Sequence, residues 1–428
     1  MEEKMKIEQK HRQDRFRRHA VQVKEAQKMI EPYLAPLDTE FVCLEQAYGR
    51  YLAEDIVAAH PLPHFRRSGM DGFSVRTDDI RDASSEKPVC LKVIENVPCG
   101  FVPQKRLEPG TAARTMTGAM VSEGADAVIR LEMTREFEID GESYLSVTRP
   151  IQPGANVSEV GSELHEGAVV VTRGRTIRSG EMAILAEYGY HQVQVFRSPV
   201  VAIFSTGAEL LRVDEPVQPG KIRNSNAHML AGLVRQAGGV PRWLGQIGDD
   251  VEEARIKMTE AVNTADLVIS TGGVSVGDYD VLADLFLQWE GKTLFNKVAM
   301  RPGSPTTAGV LDGKICIALS GNPGACFVGF HLFVRPVLLG MQGCGETQLP
   351  EFAAILSETY AKTDAYTRYV RGRTVVSDDG HVYVEPVGQD KSSVMSSIKD
   401  SDCLICIPPG KGGATKGSLV TALRLPNC

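Results

Sequence analysis

The chain lacks an excess of positive charge. Its 428 residues carry 47 Lys and Arg against 54 Asp and Glu, a formal net charge of −7. General nucleic-acid binding needs a basic footprint, so none is expected here. Long uninterrupted apolar runs are missing too. The stretch 326–341 is the most apolar, but it contains His331 and Arg335 and reads as a buried helix rather than a membrane span. The first twenty residues, MEEKMKIEQKHRQDRFRRHA, are charged throughout and lack the apolar segment of a secretory signal. A cytoplasmic address is the default expectation. There is no Walker A sequence, which disfavours a P-loop nucleotide hydrolase, and no Ser-His-Asp or nucleophile-elbow arrangement can be read.

Zinc spacing is also absent. The nine cysteines are scattered, as expected of free thiols in a reducing compartment. The one close pair, Cys403 and Cys406, lies in a run that reads as a strand. Residues three apart on a strand face opposite sides, so these two could not share a metal without a turn.

What is present is an ordinary globular composition, 43% apolar and 24% charged, in a chain long enough for about two to four domains. Residues 1–18 read as a charged arm. Val23, Ala26 and Ile30 recur at helical spacing, with Pro32 as a stop. Residues 55–153 hold short Val- and Ile-rich runs between Gly, Pro and acidic turns, a small β-rich domain. Residues 19–54 and 154–186 are expected to form an elongated linker domain. Over 187–342 strongly apolar strands alternate with helices, the pattern of a multidomain α/β protein with a doubly wound, mostly parallel sheet. Within it, Asn224 and Ser225 are placed to cap a helix that Gly238 and Gly239 close. Residues 343–428 return to short strands, a C-terminal β-barrel or sandwich. No repeat of solenoid length is evident.

Open α/β sheets bind ligands at the carboxyl ends of their strands. Three loops belong there: Ser205-Thr206-Gly207, Ser270-Thr271-Gly272-Gly273 and Ser320-Gly321-Asn322-Pro323-Gly324. Small residues let backbone N–H groups approach an anion closely, so three such loops on one sheet point to a phosphate-bearing ligand. Glu209, Asp249, Asp278 and Asp280 stand beside them, and carboxylates near a phosphate make sense if Mg²⁺ bridges the two. In GDDVEE, Asp250 with Glu253 resembles a capping box, which leaves Asp249 free to face the site. Lys297 and Arg301 read as residues four apart on one strand, both able to face one anion.

The motifs carry a resemblance. Ser68-Gly69-Met70-Asp71-Gly72-Phe73, Met116-Thr117-Gly118-Ala119, Glu123-Gly124-Ala125-Asp126-Ala127-Val128, Pro153-Gly154-Ala155-Asn156-Val157, STGAEL from Ser205, STGGVSVGDYD from Ser270 and Ser320-Gly321-Asn322-Pro323-Gly324 follow one another in order. Together they closely resemble the molybdopterin molybdenumtransferase family, which includes bacterial MoeA and the E domains of gephyrin and its plant counterpart. The resemblance covers nearly the whole chain beyond the arm. The GGVSVGDYD run is shared with sister domains that bind or adenylate molybdopterin, whereas the MDGF and MTGA blocks single out the insertase.

The resemblance implies molybdenum insertion, in which adenylyl-molybdopterin and molybdate give molybdenum cofactor and AMP. Adenylyl transfer to molybdopterin and a non-catalytic scaffold, as gephyrin is at synapses, are the rival readings. It implies a homodimer of elongated four-domain subunits sharing their sites, and Mg²⁺ as cofactor. The molybdopterin adenylyltransferase and acceptor molybdoenzymes are the further partners. Carried over by position, the catalytic residues are Asp71, Thr117, Glu209, Asp249 and Asp280, with metal at Glu209, Asp249 and Asp280. Lys297, Arg371 and Ser392 carry over as ligand-binding residues, and the loops and the RPGSP turn add Ser205, Thr206, Gly207, Gly272, Gly273, Ser275, Arg301, Ser304, Asn322 and Pro323 to the expected ligand site. Three motifs depart from the family. Phe65-Arg66-Arg67-Ser68 stands for Phe-Asp-Asn-Ser, and Asn156-Val157-Ser158 for Asn-Val-Arg. Arg301-Pro302-Gly303-Ser304-Pro305 replaces Lys-Pro-Gly-Lys-Pro, keeping one cation and losing another.

Overall fold

The computed structural model describes residues 19–248, 250–274, 281–378, 380–410 and 412–426. The expected arm over 1–18 lies outside these, as do Asp249, Ser275, Asp278 and Asp280. The chain divides into two compact units. One comprises Met1–Glu54, Arg173–Met182 and His191–Cys428, the other Asp55–Thr172 and Ala183–Tyr190.

In the larger unit, a six-stranded mixed sheet has the order Val240–Ile247, Val200–Thr206, Leu267–Thr271, Lys314–Leu319, Thr307–Leu311, Lys292–Phe295. The first four strands run parallel, Thr307–Leu311 runs against them, and the edge strand Lys292–Phe295 reverses again to run with them. The central strands are buried along almost their whole length, and mostly apolar until the Ser-Thr pairs that end two of them, because both faces are covered. Successive side chains alternate between faces. Val201, Ile203, Leu267, Ile269, Ile315 and Ile317 enter one core, while Ala202, Phe204, Val268, Cys316 and Ala318 enter the other. The helix Ser225–Gln236 begins as the sequence indicates: the Asn224 side chain accepts from Ala227 N at 3.2 Å, and Gly238, at φ +81°, follows its end. The helix Val251–Thr264 is capped by Asp250, whose carboxylate accepts from Glu253 N at 2.8 Å. The box is not reciprocal, since the Glu253 carboxylate accepts from Gly248 N at 3.0 Å instead.

The N-terminal helix Val23–Ile30 buries Val23, Ala26 and Ile30, the expected stripe. The apolar helix Pro323–Met341 is the one helix among the described residues long and apolar enough to cross a membrane, and 89% of its most apolar window is buried within the fold. It changes to a π turn over Phe330–Val334, where Arg335 N–H donates to Phe330 O. Pro336 lacks an N–H and its ring crowds the preceding turn, which accounts for the wider turn.

The C-terminal strands form a closed barrel, because Thr367–Val376 pairs with both Val382–Pro386 and Cys403–Ile407. Cys403 faces the barrel core and Cys406 the opposite side, so the two thiols diverge as expected. Burial pushes both thiols up to about 12.

In the smaller unit a six-stranded sheet has the order Ala127–Arg130, Gly72–Val75, Thr111–Thr115, Val89–Val97, Glu142–Val147, Thr134–Ile139. Gly72 is required there, since a Cβ would collide with the Ile129 carbonyl of the neighbouring strand.

Candidate functional site

Three parallel strands of the mixed sheet end at one cavity of about 1090 Å³, and all three loops named above line it. That volume exceeds the ordinary range for a drug-sized ligand and suits a larger one. Thr206 ends one strand, Thr271 the next, and Ser320 follows the third. Gly272 and Gly273 follow Thr271 with φ of +94° and +61°, and here glycine is needed. A Cβ on Gly272 would stand 2.5 Å from Thr206 O, and one on Gly273 2.7 Å from Thr206 Oγ1.

One asparagine ties the loops together. The Asn226 amide donates to Thr271 Oγ1 at 2.9 Å and to Gly321 O at 2.8 Å, and Thr271 Oγ1 donates to Ser320 O at 3.1 Å. Ser205 Oγ donates to the capping Asn224 at 3.3 Å. Two buried oxygens, Thr206 Oγ1 and Asn226 Oδ1, have no hydrogen-bond partner among the described residues. Beneath the loops the Cys326 thiol is pushed up to about 12 by burial, so it stays protonated and inert.

The barrel supplies the facing wall. Gly324 N donates to Ser392 O at 2.8 Å. Arg371, 2% exposed, donates to Ser397 Oγ at 2.7 Å and Lys391 O at 3.1 Å. Burial lowers the pKa of its guanidinium. Arg371 therefore braces the 391–397 segment from behind, whereas Ser392 lines the cavity itself. Asp390 lines the cavity as well. Burial pushes its carboxyl up, but hydrogen bonds from Tyr360 and Arg368 outweigh this and hold it below the usual carboxylate range.

The RPGSP turn corrects two expectations. Lys297 and Arg301 do not share a strand. The chain leaves the mixed sheet after Phe295, bends at Val298 and enters the barrel sheet at Met300–Arg301. Val298 is held in that bend by Val21, with which it forms a bridge, and by Ser304 O, which accepts its N–H at 2.8 Å. Arg301 lines the cavity and Lys297 does not. Ser304 does not line it either. It is 3% exposed, and its hydroxyl donates to Val298 O at 2.7 Å.

Glu209, Asn322 and Pro323 line the cavity with Ser205, Thr206 and Gly207. The Glu209 carboxylate folds over Gly207, where a Cβ would meet it at 2.5 Å. In the smaller unit, Asp71 Oδ1 accepts from Thr117 N at 2.9 Å, which joins the MDGF and MTGA blocks. Both residues are exposed. The two other departures have local uses. Arg66 donates to Ala125 O at 2.8 Å and pairs with Glu159, and Ser158 is the strand partner of Arg67.

Sequence reasoning missed Asn226, Arg368 and Asp390. Asn226 had a usable signal, since it opens a helix beside a cap. The other two are brought in by barrel pairing that no local pattern records. Among the described residues no three His, Cys, Asp or Glu gather as a metal cluster.

Residues 21–189 match the MoeA N-terminal region (domains I and II), 202–340 the probable molybdopterin binding domain, and 353–425 the MoeA C-terminal region (domain IV). The molybdopterin molybdenumtransferase of Bacillus subtilis is 43% identical over 410 residues, covering 96% of this chain and 95% of its own length. That of Staphylococcus aureus is 38% identical over 404 residues, covering 94% and 95%. A molybdopterin biosynthesis MoeA protein of Pyrococcus horikoshii, known as a crystal structure, superposes with a TM-score of 0.81 at 30% identity. The match covers 95% of this chain and all of that one.

Proposed function

Since the chain belongs to the MoeA family of molybdopterin molybdenumtransferases, enzymes of molybdenum-cofactor biosynthesis that insert molybdenum, we propose that its substrates are adenylyl-molybdopterin and molybdate and its products molybdenum cofactor and AMP. The observation that carries this reading is the convergence of the 205–207, 271–274 and 320–323 loops on one large cavity within the molybdopterin-binding domain. Backbone N–H groups in small-residue loops suit a pyrophosphate, and the facing wall brings Arg301 and Arg368 to an oxyanion. The dithiolene sulfurs belong to the substrate, so the protein needs no nucleophile. Its work is to position two anions against each other and to exclude water.

Mg²⁺ suits the oxygen donors present. The Glu209 carboxylate lines the cavity, and the unpartnered Thr206 Oγ1 and Asn226 Oδ1 are hard ligands, with no sulfur or imidazole among them. Glu209 would hold the ion together with Asp249 and Asp280, and bound Mg²⁺ would offset charge developing on the pyrophosphate. The proposal extends to a cytoplasmic homodimer in which Asp71 and Thr117 serve the reaction. Mixing Asp71→Ala with Asp280→Ala subunits tests it by recovery of activity in the heterodimer.

The deciding assay follows AMP. Release of AMP from adenylyl-molybdopterin only when molybdate is present supports insertion. Consumption of ATP with molybdopterin would instead assign the adenylyl-transfer step.

A further inference from the structure

Ser304, where the resemblance implies a lysine, is buried and donates to Val298 O, so this position offers the cavity no cation. A cation stands beside Arg301 all the same. Met300–Arg301 pairs in parallel with the start of the barrel strand Thr367–Val376, and in that register Arg301 is the partner of Arg368. Both side chains line the cavity. They share one carboxylate: Asp364 Oδ2 lies 3.4 Å from Arg301 Nε and 3.2 Å from Arg368 Nη1.

Arg368 is firmly oriented. Its Nη2 pairs with Asp390 Oδ2 at 2.7 Å, its Nε donates to Tyr360 Oη at 2.8 Å, and Tyr360 donates to Asp390. Three of the five N–H groups of the Arg368 guanidinium are engaged by Tyr360, Asp364 and Asp390, leaving two for a ligand. Arg301 lies over the Tyr366 ring, 5.7 Å from its centroid, which limits its swing. Counting Lys362, which also pairs with Asp390, three cations face two carboxylates, so the cluster keeps a net positive charge.

We propose that Arg368 is a substrate-binding residue and forms, with its register partner Arg301, a two-guanidinium clamp for a tetrahedral oxyanion. That oxyanion is molybdate or the phosphate of the adenylyl group. The inference rests on the reading of the cavity given above. Guanidinium forks recognise such anions by paired hydrogen bonds, and Asp364 and Asp390 set the direction of the Arg368 fork. Asp364 also opposes the ligand, because it places a negative charge beside the clamp.

The test is isothermal titration of the full-length protein with molybdate and, separately, with AMP. Arg368→Gln is expected to weaken binding of whichever oxyanion occupies the clamp by about tenfold, and Arg368→Lys to weaken it less. Asp364→Asn is expected to tighten that binding by about threefold, the opposite sign. A loss confined to molybdate, or confined to AMP, supports the clamp and identifies its occupant. If Arg368 served only to hold the 390–395 segment, Asp364→Asn would not tighten either ligand, and that result overturns the proposal even if Arg368→Gln fails to fold. A wild-type protein that binds neither ligand would sink the reading of the cavity itself. Wild-type affinity alongside unchanged affinity in Arg368→Gln would sink only the clamp.

Discussion

Asn226 donates one amide hydrogen to Thr271 Oγ1 at 2.9 Å and the other to Gly321 O at 2.8 Å, so a single side chain at a helix start fixes the loops ending two neighbouring strands. Removing it leaves the part-buried Gly321 carbonyl without this donor. Asn226→Ala is expected to lower stability by about 1–3 kcal/mol and to weaken AMP binding more than that loss alone would suggest, since both loops relax. Asn226→Asp should be worse, because it offers oxygens to oxygens. A thermal melt and an AMP titration on each variant check both points. Wild-type AMP affinity in Asn226→Ala would refute the lacing role.

Gly272 carries a second prediction. At φ +94° an added Cβ would meet the Thr206 carbonyl at 2.5 Å, and backbone cannot swing aside as a side chain can. Gly272→Ala should destabilise the protein by about 2 kcal/mol or more and abolish ligand binding. Gly313, also at positive φ but with open space around it, is the control, and Gly313→Ala should retain binding. Equal effects in the two variants would mean that backbone angle alone, not approach to Thr206, governs the loop.

The loops and the helix stripe were legible because local chemistry determines them. Glycine beside serine or threonine after an apolar strand marks a tight turn whose backbone a ligand can approach, and Asn224 caps its helix through a contact three residues away. The clamp was not legible. Arg301 and Arg368 are 67 positions apart (368 − 301) and meet only because the chain crosses from one sheet to another at Val298. That crossing also defeated the reading of Lys297 and Arg301 as strand neighbours, since periodicity cannot show where a strand changes sheets. Ser304 misled for a related reason. A motif gives the position of a side chain along the chain but not the side to which it turns.

His331 predicts a pH dependence of stability. It is 1% exposed, and neither ring nitrogen has a partner among the described residues. Burial, with a smaller contribution from Arg335, lowers its pKa from 6.5 to about 3. The folded value lies below the unfolded one, so the unfolded chain takes up a proton first as pH falls. Stability from this group is intact above pH 6.5 and is lost progressively from there toward pH 3. Between pH 7 and pH 5 the loss should be about 2 kcal/mol. His331→Phe should flatten the melting profile over that interval. An unchanged slope in the variant would assign the pH dependence to other groups.

Glu209 predicts a metal dependence. Its carboxylate lines the cavity, and Glu209→Gln keeps the shape while removing the charge. The Mg²⁺ concentration needed for half-maximal AMP release should rise about tenfold, with little change in melting temperature because the residue is exposed. Removing Mg²⁺ with a chelator should stop the wild type as well. Turnover of both proteins that persists in chelator would exclude the ion from the reaction.

The RPGSP turn separates a buried structural residue from a cavity-lining one within four positions. Ser304 is buried and donates to Val298 O at 2.7 Å, so it holds the bend where the chain changes sheets. Arg301, three residues earlier, lines the cavity and is half exposed there. Ser304→Ala should therefore lower stability by about 1 kcal/mol, the worth of one neutral hydrogen bond plus the unpaired carbonyl it leaves. It should leave the molybdate concentration for half-maximal insertion unchanged. Arg301→Ala should do the reverse. It removes a charged donor from the ligand and raises that concentration about tenfold or more, while the melting temperature stays near that of the wild type. Paired melts and molybdate titrations on the two variants give four numbers with a crossed pattern. If Ser304→Ala shifts the molybdate titration as far as Arg301→Ala does, the Ser304 hydroxyl reaches the ligand, and the bend at Val298 must rearrange when molybdate binds.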